Sequence, residues 1–139
     1  MLTIDALPHQ PPMRLVEEIL DVVPGERATT LRITRADDFF FQGHFPQQPV
    51  VPAVILVELL AQTGGLAIAS ATATGESAQL RVAALGPFKF PAAAGAGARL
   101  ETSARLLGHF GGVYKIEGEV RADGIVVASG SVVLAGSVR

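Results

Sequence analysis

The chain reads as an α+β domain in which one long central helix is wrapped by a curved antiparallel sheet. Three observations predict it. From Ala53 the sequence AVILVELLAQ is apolar on nearly every face, which marks a helix surrounded by protein. The segments on either side alternate apolar and polar residues and are punctuated by Gly and Pro, the pattern of half-buried strands joined by turns. One small flat sheet cannot cover the circumference of such a helix, so the sheet must curl around it or a second copy must close the open side.

Taken in order, residues 4–12 read as a short helical turn and a loop. Residues 14–20 and 28–34 read as two strands joined around Pro24-Gly25. Pro46, Pro49 and Pro52 punctuate the approach to the helix, and Pro52 suits a first helical position, where its missing N–H has no partner to lose. The helical pattern runs on through GGLAIASATATG, with Gly75 as its stop. About 20 residues at a rise of 1.5 Å make a rod of ~30 Å, enough to cross a small domain. Four strands follow, at 80–85, 99–107, 112–122 and 125–134. In the third of these, Lys115, Glu117, Glu119 and Arg121 share one face, and Tyr114, Ile116, Val120 and Ala122 the other. Asp123-Gly124 is a two-residue hairpin signal. PAAAGAGA at 91–98 is a flexible connection inside one domain spanning residues 1–139.

Composition narrows the function. The 139 residues are 49% hydrophobic and 17% charged, which suits a packed core and argues against disorder. A formal charge of −2 offers no bulk attraction to nucleic acid or anionic lipid. The absence of cysteine excludes disulfides and thiolate metal sites. No basic stretch followed by an apolar core opens the chain, so no signal peptide is expected. Residues 54–73 approach membrane-spanning length but carry Glu58, Gln62 and Gly64-Gly65 without basic or aromatic anchors, so a helix buried in protein is the better account. A cytoplasmic location is the expectation.

Chemistry concentrates in FFFQGHFPQQPVVPAVILVELLAQTGG, residues 39–65. His44 sits in a Gly/Pro-bounded turn, and fourteen positions later Glu58 interrupts an apolar helix. A neutral imidazole and a desolvated carboxyl group are suited to moving protons at neutral pH. A glutamate in an apolar helix is costly unless neutralised or partnered, which favours function over packing at Glu58. Gln62, one turn on, is placed to hydrogen-bond Glu58. His9, in a Pro-rich turn, reads as structural, and His109, in a Gly-flanked loop, receives no role. Phe39, Phe40, Phe41 and Phe45 read as core and pocket wall. Gly111-Gly112 is turn chemistry rather than a phosphate loop.

This run resembles the bacterial 3-hydroxyacyl-acyl-carrier-protein dehydratases of fatty acid synthesis, the type with a glutamate on the helix. Their pattern FFxGHFPxxPxxPGVLxxEAxAQ is similar to FFFQGHFPQQPVVPAVILVELLAQ here. LPHQPPMRLVEEIL resembles their LPHR-x-P-F-LLVDRVL, and FKFP at 88–91 their FKRP. The likeness spans roughly residues 7 to 135. It implies a hot-dog fold, normally a homodimer or a trimer of dimers. It also implies reversible dehydration of a (3R)-3-hydroxyacyl thioester, on acyl carrier protein or CoA, to the trans-2-enoyl thioester. No metal or organic cofactor is implied. His44 and Glu58 match the catalytic pair, supplied in the family by different protomers.

On that resemblance neutral His44 takes the C2 proton. Glu58 starts protonated, or holds a water that does the same work, and burial among Val54, Leu56, Val57, Leu59 and Leu60 would disfavour its anion. The expected substrate-binding residues are Gly43, Phe45, Ala53 and Gln62. Gly43 lets the chain turn so that His44 faces the cavity. Ala53 sits at the helix N-terminus, where free N–H groups can stabilise an enolate oxygen. Two departures matter. Ala53 replaces the family's glycine, which narrows or reshapes the pocket. Pro87 and Phe90 stand where the family carries basic flanks around FK, which suggests weaker docking of an acidic carrier or a different carrier, and a specialised relative in a secondary acyl or polyene pathway. A hot-dog thioesterase and a non-catalytic acyl-binding subunit are the competing readings. The GHFP turn counts against the first, and the intact His/Glu pair against the second.

Overall fold

The structure, a computed structural model, describes residues 2–71 and 79–136. Two strands come first, β1 (Glu18–Val23) and β2 (Arg27–Ile33), then a 3-10 turn at Phe39–Phe41 and one long helix, α1 (Ala53–Ala69). Four strands complete the chain: β3 (Arg81–Lys89), β4 (Arg99–Phe110), β5 (Val113–Ala122) and β6 (Ile125–Ala135). They form one antiparallel sheet in the order β1-β2-β4-β5-β6-β3, and α1 packs across β2, β4, β5 and β6. The predicted architecture is the observed one. Among the described residues no helix is long and apolar enough to cross a membrane.

Packing rather than propensity holds α1. Gly64-Gly65 in mid-helix costs about 1 kcal/mol per glycine relative to alanine. Leu59, Leu60 and Leu66 are at most 1% exposed, and each contributes roughly 1.5–3 kcal/mol by leaving water. The sheet answers with its inward row, Leu100, Ile116, Val120, Val127 and Val132, all at most 1% exposed. The outward row of β5, Lys115, Glu117 and Arg121, stays in solvent. Gly130 has a steric reason to be glycine. A Cβ there would lie 2.5 Å from the Phe88 ring, so its absence lets the β3 aromatic lie flat on β6. At the far end, the Ser70 hydroxyl accepts the Gly25 N–H (2.9 Å) and donates to the Ala67 carbonyl (2.6 Å), tying the β1–β2 turn to the end of α1.

Several boundaries differ from the sequence-based expectation. β1 begins at Glu18, not at residue 14, because the N–H groups of Leu15 and Val16 go to the Gln62 side chain rather than to a strand. The Glu17 carboxylate then extends the β1–β2 pairing, accepting the Ile33 N–H at 2.8 Å and bonding Arg35 at 2.7 Å. Partial burial alone would push that carboxyl up. The Arg35 and Ile33 hydrogen bonds, with the Arg35 and Arg32 charges, outweigh it and hold Glu17 below its ordinary value. β3 runs on to Lys89 through Pro87, which an edge strand tolerates because that residue's missing N–H need not face a partner. β4 reaches Phe110, so His109 is a strand residue stacked on Tyr114 at 5.5 Å, not a loop residue. α1 ends at Ala69 with Ser70 as its C-cap, and the expected stop at Gly75 lies outside the described residues. Asp123 (φ 49°) and Gly124 (φ 86°) make the predicted hairpin turn.

Candidate active site

His44 is held by its own loop. Gly43 has φ of 77° with nothing within 4 Å of where a Cβ would stand. Conformation, not space, therefore asks for glycine there. The next peptide, His44–Phe45, is cis. The His44 carbonyl accepts the Val50 N–H at 3.0 Å, and its ring Nδ1 lies 2.8 Å from the Val50 carbonyl oxygen. A carbonyl can only accept, so in the neutral ring Nδ1 carries the hydrogen and Nε2 keeps its lone pair. The Phe45 ring stacks on the imidazole at 4.2 Å and is 53% exposed. Phe40 and Phe41 are the core aromatics expected of this run, each 5% exposed. Phe45 is not core.

Glu58 lies one turn into α1, and its side chain is 26% exposed. Val54, expected beside it as a buried neighbour, is 73% exposed, while Ile55 and Leu56 in the same turn are buried at 7% and 3%, so Val54 lies on the open face of the helix start. Glu58 Oε2 accepts a hydrogen bond from Gln62 Nε2 at 2.8 Å. Gln62 is 1% exposed and fully engaged: its amide nitrogen also donates to the Met13 carbonyl (2.7 Å), and its oxygen accepts from Leu15 and Val16 (2.9 and 3.4 Å). It thus ties the N-terminal segment to α1 and holds the carboxylate. His9, read from sequence as structural, lies against the same oxygen, with Nε2 at 3.4 Å from Oε2. The available signal was LPHQPP itself, whose histidine is the one in the resemblance's LPHR.

Glu58, Gln62 and His9 line a cavity of about 240 Å³, completed on its apolar side by Leu7, Ala61, Leu80, Val82 and Leu134, with Arg81 also on its wall. His44 is not on that wall. Among the described residues no hydrogen bond or ion pair joins His44 to Glu58 within one chain. At the start of α1, the Pro52 carbonyl accepts the N–H groups of Ile55 and Leu56 (2.9 and 3.4 Å). The N–H groups of Ala53 and Val54 have no acceptor among the described residues. They lie at the positive end of the helix dipole, free to meet an anionic oxygen.

Comparison with known proteins accounts for the pattern. The sequence model of the FabA-like domain matches residues 7–131. The chain belongs to the FabA-like domain family. One relative is a protein of Oleidesulfovibrio alaskensis named 3-hydroxyacyl-[acyl-carrier-protein] dehydratase FabZ, 38% identical over 118 residues that cover 84% of this chain and 77% of the relative. Among solved structures, the dehydratase heterocomplex ApeI:P from Xenorhabdus doucetiae superposes with a TM-score of 0.79 at 20% identity, over 99% of this chain and 92% of that one. A hypothetical thioesterase from Streptococcus pneumoniae with coenzyme A superposes with a TM-score of 0.68 at 10% identity, over 88% and 86%. The FabA-like chain therefore has the hot-dog fold. That fold is shared by proteins named for different chemistry, so function has to be argued from the site.

Proposed function

We propose that residues 1–139 form one domain that reversibly dehydrates (3R)-3-hydroxyacyl thioesters of acyl carrier protein to trans-2-enoyl thioesters, in fatty acid or related acyl biosynthesis in the cytoplasm. The observation that carries the reading is the hydrogen-bonded state of its two groups: an imidazole whose Nε2 is left as a lone pair, and a carboxyl anchored through one oxygen in a half-apolar cavity. His44 Nε2 takes the C2 proton, and the Nδ1–H bond to Val50 strengthens as the ring becomes cationic. The C2–H electrons form the C2=C3 double bond, the C3–O bond breaks, and the hydroxyl leaves as water with the proton given by Glu58. Solvent then carries the proton from His44 back to Glu58. The free N–H groups of Ala53 and Val54 stabilise the thioester oxygen while charge resides on it.

The two groups act across a homodimer. Support comes from β3, the last strand of the sheet. It carries the exposed apolar residues Val82 and Leu85 (37% and 58%), and Val82 and Arg81 also wall the Glu58 cavity. A second copy paired on that edge would lie beside Glu58, where its own His44 could complete the pair. Each positioned proton transfer is typically worth ~10²–10⁴ in rate. His44→Ala and Glu58→Gln should each lose at least roughly 100-fold in interconversion of 3-hydroxyacyl and enoyl thioesters, with unfolding midpoints near wild type. The enoyl absorbance measures this in both directions. Release of free thiol by the wild type would replace this reading with a thioesterase.

A further inference from the structure

We infer that His9 is a positioning residue for Glu58: a neutral imidazole whose Nε2–H, together with the Gln62 amide, holds Oε2 and leaves Oε1 as the oxygen that carries the transferable proton. The inference rests on the dehydratase reading for what that proton does, and on the contacts for how it is held. Gln62 Nε2 donates to Oε2 at 2.8 Å, and His9 Nε2 lies against the same oxygen at 3.4 Å. Among the described residues no donor reaches Oε1. A carboxyl with one oxygen engaged as an acceptor keeps its hydrogen on the other, which is the oxygen free to meet a hydroxyl group.

The second ring nitrogen of His9 decides the tautomer. Nδ1 is buried and has no hydrogen-bond partner. Were it an N–H, in the other tautomer or in the imidazolium, a buried donor would be orphaned; an unused lone pair is the lesser cost. The hydrogen therefore sits on Nε2, the nitrogen that lies 3.4 Å from Glu58 Oε2. His9 is fixed there from both sides in sequence. Leu7 is 3% exposed in the core, and Met13 and Leu15 are tied to Gln62. The other charged group on the cavity wall is Arg81. Arg14 and Asp5, the charged residues flanking His9 in sequence, are paired with each other at 3.0 Å and have no bond to the carboxylate.

The test compares His9→Leu, which keeps bulk without a donor, with His9→Gln, whose amide nitrogen reaches about as far as Nε2. His9→Leu should lower kcat roughly 10- to 100-fold, since a misplaced catalytic group costs that much. KM should change far less, the pH profile of kcat should be altered, and His9→Gln should recover most of the loss. A wild-type kcat and pH profile in His9→Leu, or equal damage in both variants, would overturn the inference while leaving the dehydratase reading intact. The tautomer is read independently of turnover from the ¹⁵N shifts of His9 in the full chain. The inference expects the Nε2–H form and a change in Glu58→Gln; the Nδ1–H form, or no change, refutes it. No turnover by wild-type protein would sink the dehydratase reading alone.

Discussion

At the scale of single residues, main-chain groups decide what the side chains of the proposed site can do. His44 could hold its hydrogen on either nitrogen, and one carbonyl 2.8 Å away selects Nδ1. Gln62 looks in sequence like a companion of Glu58, which it is, but it is also the acceptor that keeps Leu15 and Val16 out of β1. Gln62→Leu should therefore damage folding as well as rate. Two buried N–H groups lose their acceptor, and each orphaned group costs about 1–3 kcal/mol, so denaturant unfolding should register a loss of at least about 2 kcal/mol. A stability within error of wild type would mean that water or a rearranged segment replaces the side chain. The residue types at His44 and Glu58 were legible because their chemistry is unusual for their surroundings. The contact of His9 with Glu58 was not, because nothing local relates two residues 49 positions apart.

At the scale of elements, the helix and the last three strands were legible, since period, hairpin residues and apolar content all agree there. The sequence reading failed at ends. β1 starts late because a helix side chain takes its N–H groups, and β3 and β4 run long because neighbouring strands continue to offer partners. β3 is the element on which assembly turns. It ends the sheet, and its apolar residues Val82 and Leu85 are exposed in the single chain. A charge on an open edge opposes strand pairing. Leu85→Lys should shift the protein from dimer to monomer in analytical ultracentrifugation and lower dehydratase activity in parallel. A dimeric, fully active Leu85→Lys protein would move the interface elsewhere.

At the scale of the whole molecule, a shared site makes a prediction that a self-contained site does not. Neither His44→Ala nor Glu58→Gln should turn over alone. After exchange of subunits between equal amounts of the two, about a quarter of wild-type activity should return, because half the dimers are mixed and each mixed dimer rebuilds one of its two symmetric sites. A mixture as inactive as its components would place both groups in one protomer. The FabA-like family and the α+β class were determined by the sequence itself, and so were the two residues proposed to handle protons, because a fixed spacing of Gly, His, Pro and Glu around an apolar helix is a local pattern. The tertiary structure alone decided which atoms of those residues are free. The tautomer of His44 depends on the closed path of its own loop, which brings the Val50 carbonyl to Nδ1, and the placing of His9 and Gln62 around Glu58 depends on contacts between the N-terminal segment and the helix, far apart in the chain, which no local pattern encodes.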